Sequence, residues 1–140
     1  MIQFFICILC YDMWYYVAHI FLHDKNIYFI HKIHHKKSYS DLTYLDSNVN
    51  HMLEVPIQNI GLLIPFTVCK IDYLTLLFAY VFILIRGYME HDNRFTSIIG
   101  NHHLLHHRYP KYNFGEYWID YLCGTKYPND DEYIYGIIYT

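Results

Sequence analysis

Three groups of histidines carry the chemistry that this sequence can do. His19-x-x-x-His23 sets two imidazoles four residues apart, so that on a helix both leave from one face. His31-x-x-His34-His35 and His103-x-x-His106-His107 each offer an i, i+3, i+4 set, and His102 directly precedes the second. Neutral imidazole is a good ligand for iron, zinc, copper and nickel, and rings one helical turn apart chelate without backbone strain. Eight histidines in three motifs exceed what one tetrahedral zinc can use. Two metals sharing the set is the economical expectation, and an all-nitrogen shell for a redox metal beside apolar sequence points to oxygen activation on a lipid. His51 and His91 stand alone. The rival chemistry is a zinc-dependent membrane hydrolase, but the chain has no H-E-x-x-H and more histidine than such a site needs.

These motifs need elements to hold them. Residues 1–22 are nearly all apolar, interrupted by Gln3 and Asp12, and a helix of that length rises ~30 Å, enough to cross a bilayer core. Without a basic leading region or a small-residue cleavage site, it reads as a retained anchor rather than a signal peptide. Lys25, Lys32, Lys36 and Lys37 follow and place that end in the cytoplasm. A second apolar zone, Val55 to Ile85, is broken at Lys70-Ile71-Asp72. It is either one span with two misplaced charges or two short legs, Ile57–Cys69 and Tyr73–Ile85, each rising ~20 Å. Gly61 and Pro65 weaken the first leg as a straight helix. A single span would separate the earlier and later histidines by the membrane, whereas a hairpin returns the chain to the same side, so one shared site requires the hairpin. Residues 86–140 read as mostly helical, with loops near Pro110, Gly115 and Pro128.

Composition sets the outer bounds. The chain has 54% hydrophobic and 16% charged residues, against roughly 45–50% and about 25% in soluble domains. Ten Lys and Arg against 13 Asp and Glu exclude a basic nucleic-acid surface, and 20% aromatic content excludes disorder. Cys7 and Cys10 have C-x-x-C spacing inside an apolar run with no second pair, which reads as buried, inert thiol. The expectation is an all-α integral membrane protein. It has one domain over 1–140, with an N-terminal span, a hydrophobic helical hairpin over 57–85, and a histidine-rich helical metal site facing the cytosol.

The motifs also resemble the fatty acid hydroxylase superfamily, which includes sterol desaturases, methyl-sterol oxidases and lipid hydroxylases. Asp12, Tyr16, His19 and His23 are in register with its D-x-x-x-Y-x-x-H-x-x-x-H, and His31-Lys-Ile-His34-His35 with its H-K-x-H-H. His51-Met-Leu-Glu54 is similar to H-P-x-E, and Glu90-His91 to the E-H after the hairpin. His103-Leu-Leu-His106-His107, Asn113-Phe-Gly115 and Asp120 through Gly124-Thr125 resemble H-x-x-H-H, N-[FY]-G and D-x-x-F-G-T. The chain departs from the pattern at Ile20, where the family commonly has Arg, at Met52 for Pro, around Asn93, and in lacking the membrane helices that usually precede the first motif.

The resemblance implies a membrane-bound enzyme, of endoplasmic reticulum type, that hydroxylates or desaturates a sterol or fatty acyl chain with dioxygen at two iron ions, zinc being a possible substitute in purified protein. The ligands it implies are His19, His23, His31, His34, His35, His51, His91, His103, His106 and His107. Asp12 would orient a ligand imidazole or a polar neighbour, since an acid in an apolar helix is costly. Glu54, Glu90 and Asp92 would be acceptors behind the ligands, His102 would lie behind them or face solvent, and Trp118 with the tyrosines would form an interface belt. No haem, flavin or nicotinamide signature is present, so electrons would come from a separate chain, a b-type cytochrome with its reductase. The alternative is a truncated, inactive relative that binds metal or a partner.

Overall fold

Met1 to Leu22 is helical almost throughout in the computed structural model, which describes residues 1–138. Helix α1 (Ile2–Leu22) has 21 residues and so rises ~31 Å. The chain then turns into a short α2 (Tyr28–His31) and three 3₁₀ segments, His34–Lys36, Tyr39–Asp41 and Tyr44–Asn48. α3 (Glu54–Asn59), a 3₁₀ turn (Ile60–Leu62) and α4 (Pro65–Val68) make a broken ascending leg. α5 (Tyr73–Glu90) descends, and α6 (Thr96–Ile99), α7 (His102–Arg108) and α8 (Tyr117–Cys123) complete the helices. The described residues contain no strand.

The hairpin, not the single span, is what forms. Its tip lies beside the start of α1, where the Gln3 side-chain amide donates to the Lys70 carbonyl at 2.8 Å. Asp72 starts the descending leg by accepting from the Thr75 backbone N–H at 2.9 Å and its hydroxyl at 2.6 Å. The ascending leg breaks at Gly61 and Pro65, as their chemistry predicts. Gly61 is needed for a second reason: a Cβ there would stand 3.0 Å from the Tyr11 backbone and 3.1 Å from Trp14. The close approach lets Trp14 Nε1 donate to the Ile57 carbonyl at 2.7 Å, which satisfies a backbone group in a helix that does not run straight.

The descending leg is longer than the expected Tyr73–Ile85. It runs through Arg86 to Glu90, 18 residues in all, because Arg86 is neutralised inside the bundle and need not end the span. Asp12, midway along α1, meets the Arg86 guanidinium at 2.5 and 3.2 Å; Glu116 closes on it at 3.1 Å and Glu90 at 3.6 Å. An unpaired charge of either sign would be expensive at this depth, and together they hold α1, α5 and the segment before α8 in one arrangement.

Outward, α1 shows a stripe of Ile2, Phe5, Leu9, Met13, Val17 and Phe21, and α5 shows Leu74, Leu77, Phe78, Val81 and Ile85, all exposed. Both helices are long and apolar enough to cross a membrane, and a water-facing surface would not present such stripes. The protein is an all-α membrane protein. The ends of α1 and α5 and the start of α3 meet at the side opposite the hairpin tip, and every histidine motif is gathered there.

Candidate metal centre

Nine imidazoles converge at that end in two groups: His19, His23, His31, His35 and His106 in the first, and His34, His91, His103 and His107 in the second. Within each, one ligand atom per residue lies within 4.8 Å of all the others. The i, i+4 pairs stay together: His19 with His23 and His103 with His107, because four helical residues advance only ~40° beyond a full turn, and His31 with His35 without a continuous helix. The i+3 member of each H-x-x-H-H crosses over, His34 to the second group and His106 to the first. Each H-x-x-H-H thus serves both groups, and His19-x-x-x-His23 serves the first. For His31 to His35 the single helical face read from the sequence is replaced by a kink. α2 ends at His31, and His35 has φ −85° and ψ 15° inside the following 3₁₀ turn.

Hydrogen bonds at the rear of the rings fix which nitrogen faces inward. His19 Nδ1 donates to the Phe114 carbonyl at 2.6 Å, His106 Nδ1 to the Tyr112 carbonyl at 2.7 Å, and His91 Nδ1 to the Gly87 carbonyl at 2.7 Å. A carbonyl only accepts, so in these rings the proton sits on Nδ1 and the Nε2 lone pair points into the group. There the Nε2 atoms crowd together: that of His31 is 2.9 Å from that of His19 and from that of His35, and that of His106 is 3.0 Å from that of His23 and 3.1 Å from that of His35. In the second group His91 Nε2 is 2.9 Å from His34 Nε2 and 3.1 Å from His103 Nε2. Where both rings carry the proton on Nδ1, as His19 and His31 do, lone pairs at such distances repel unless a cation lies among them. Two nitrogens ~90° apart on an ion with ~2.1 Å bonds would be ~3.0 Å from each other. Both nitrogens of His107 are buried without a hydrogen-bond partner, as a ring reserved for an ion would be. The residues therefore fit a pair of metal ions, and each group could hold one.

Electrostatics agree. Burial pushes His23 down to about 4, His35 to about 3 and His91 to about 4. It also holds His31, His34, His103, His106 and His107 far below the usual imidazole range, with neighbouring imidazoles adding to the effect. Neutral rings are the ligating form. Behind His31 the Glu54 carboxylate accepts from Nδ1 at 2.7 Å, both side chains being fully buried. Burial raises Glu54 to about 8; a cation at the far nitrogen would favour its ionised form and fix the ring, the carboxylate–histidine–metal arrangement.

The segment after α7 supplies the carbonyls behind His19 and His106. Asp120, fully buried, accepts from the Phe114 and Gly115 backbone N–H at 2.9 and 2.8 Å, the Thr125 hydroxyl at 2.6 Å and His102 Nε2 at 3.0 Å. Asn113, at a left-handed φ of 57°, donates to the His102 carbonyl at 3.0 Å and accepts from Tyr127 N–H and the Tyr133 hydroxyl. Gly115 packs against the Tyr16 ring, which a Cβ would meet at 3.0 Å. The Asn113-Phe-Gly and Asp120-to-Thr125 motifs hold the backbone on which His19 and His106 lean.

Several expected residues lie elsewhere. His51 is in neither group. Its ring packs edge-on to Phe29, 6.1 Å between centroids, and its Nδ1 accepts the Leu53 N–H; the start of α3 sends Glu54 to the rings instead. His102 sits behind the second motif on Asp120. Asp12 and Glu90 face Arg86, and Asp92 accepts from Arg94 and the Tyr44 N–H. Sequence reasoning missed Arg86 and Glu116. The available signal was an acid inside one apolar run and a base ending another, charges that bilayer-embedded helices must pair.

Compared with known proteins, the family model described as fatty acid hydroxylase matches residues 4–125, a stretch that takes in every histidine motif and ends on Thr125. No solved structure matches the chain.

Proposed function

This chain belongs to the fatty acid hydroxylase family, and from that premise we propose that it is a membrane di-iron oxygenase that hydroxylates, or desaturates, a lipid such as a sterol or fatty acyl chain. The observation that carries the reading is the crossing of each H-x-x-H-H between two adjacent groups of buried imidazoles, nine rings in all. Nitrogen shells of this kind suit iron. Bound there, the two irons would supply reduction of dioxygen and removal of hydrogen from an unactivated C–H bond. In hydroxylation one oxygen atom of O2 enters the C–H bond and the other leaves as water, with two electrons from a donor chain and two protons from solvent.

The chain's own residues do the rest. Phe114, Tyr112 and Gly87 carbonyls and Glu54 hold His19, His106, His91 and His31 with their lone pairs inward. Burial keeps the rings neutral and water away. α1 and α5 hold the site against the bilayer that delivers the substrate. Electrons arrive from a separate b-type cytochrome with its reductase, and the lysines after α1 favour a cytosol-facing site in the endoplasmic reticulum membrane.

Lipid mass spectrometry of cells expressing the wild type or His106→Ala, with the donor proteins present, tests the reading together with metal analysis of the purified protein. Two irons per chain and an oxygen-dependent new lipid, lost in the variant, are expected. Metal-bound protein with an unchanged lipid profile would make it a metal- or partner-binding relative without turnover.

A further inference from the structure

α3 and α5 both pack on α1, and between them a cleft runs into a chamber of about 170 Å³ whose inner wall includes His34 and His91 of the second group. Pockets that enclose a drug-sized ligand are larger, ~300–1,000 Å³, so no sterol or long acyl chain fits inside whole. The chamber takes one end of such a molecule. Its walls say which end: the side-chain amides of Asn48, Asn50, Gln58 and Asn59 line it, as does Tyr15. Neither the Asn59 amide nor the Tyr15 hydroxyl hydrogen-bonds to another described residue. A hydrocarbon end would strip water from these groups and return no hydrogen bond. An anionic end would meet Glu90 and Glu116, which line the same space and already crowd the single guanidinium of Arg86.

We propose that this chamber seats the uncharged, hydrogen-bonding end of the lipid, a hydroxyl or an amide, so that the C–H bond oxidised lies within a few carbons of that end while the rest of the tail stays outside the chamber. The assignment rests on the oxygenase reading above and narrows it. The substrate is a neutral amphiphile oxidised next to its polar end, not a fatty acid anion or a chain attacked at its middle or terminus.

Two measurements test it. Purified membrane-embedded protein is photolabelled with a long-chain alcohol and with an N-acyl amide lipid, each carrying a diazirine either beside the polar end or at the terminal methyl, and the labelled peptides are mapped. The probe with the diazirine beside the polar end should label residues 55–59 or 80–87, and the terminal-methyl probe should not. Asn59→Leu should weaken that labelling about fivefold, the worth of one hydrogen bond, and Asn59→Gln should restore much of it. Should Asn59→Leu fail to fold, Asn48→Leu on the exposed rim serves. The alcohol and amide arms tell the two head groups apart. In cells, fragmentation of any new oxidised lipid should place the added oxygen beside the polar end. Labelling of the chamber by the terminal-methyl probe, or oxygen found far down the tail, overturns the proposal while leaving the oxygenase reading intact. Labelling as expected with no oxidised lipid in any arm overturns the oxygenase reading and leaves the seat standing.

Discussion

The two histidine groups lie side by side but are held differently. In the first, His19, His31 and His106 are each gripped from behind by a carbonyl or carboxylate at 2.6–2.7 Å, and those acceptors are themselves fixed, Phe114 through the hydrogen bond of its own N–H to Asp120. In the second, His91 has such a grip in the Gly87 carbonyl, whereas His107 has both nitrogens buried without a partner. The second group also borders the chamber between α3 and α5. The first group borders space as well, an open cavity of about 790 Å³ lined by His23, so what separates the two is the grip from behind: the first is preorganised by protein, and the second would depend more on a bound ion. Preorganisation raises affinity by removing the cost of ordering ligands, so the two ions should not be equally tight.

The largest effects should come from the crossing residues. His106→Ala in the first group and His34→Ala in the second should each abolish turnover and lower metal content, by more than the ~10–100-fold that loss of an outer partner costs; full activity in either would break the idea of one shared centre. Glu54→Gln should cost about 10–100-fold in metal affinity or activity while touching only the first group. Metal titration would show it as one weakened equivalent out of two. Graded chelation should remove one equivalent ahead of the other, and His107→Ala should remove the labile equivalent. Equal loss of both would erase the distinction between the groups.

Acid should act on both. Rings held at about 3 to 4 refuse protons that the unfolded chain accepts near 6.5, so the unfolded state binds more protons between those values. These rings add no pH dependence above that window, and the stability they carry should fall as pH drops through it, read as a lower thermal midpoint in detergent at pH 5 than at pH 7.5. The smallest effect belongs to His51→Ala, with metal content and turnover expected within about twofold of wild type because its ring lies outside both groups.

Much of this was legible before any coordinates. Spacing alone picked out the eight histidines of the three motifs, since i, i+4 repetition on a helix has few other uses inside so apolar a chain. The break at Lys70-Ile71-Asp72 left one span or a hairpin open, and the requirement of one shared histidine site selected the hairpin. His51 matches the motif but lies outside both groups, because a motif match fixes residue type and register, not the direction in which a loop sends a ring. It is Glu54, three residues on, that α3 turns inward. The helical face expected for His31 to His35 fails for a related reason: α2 ends at His31 and the chain kinks, sending His34 and His35 to different groups, and local propensity does not register it. Arg86 stayed hidden because its partners, Asp12 and Glu116, lie 74 residues before it and 30 after it.

What the sequence determined by itself was the inventory: apolar runs of membrane-crossing length, a turn between them, and nitrogen ligands in chelating pairs, all local properties that neighbouring residues encode through helical periodicity and hydropathy. What only the tertiary structure decided was the partition of those nitrogens into five and four, the carbonyls and the carboxylate that aim them, and the polar chamber beside the second group. Those depend on segments far apart in the chain reaching one another within hydrogen-bond distance, and no local pattern carries that distance.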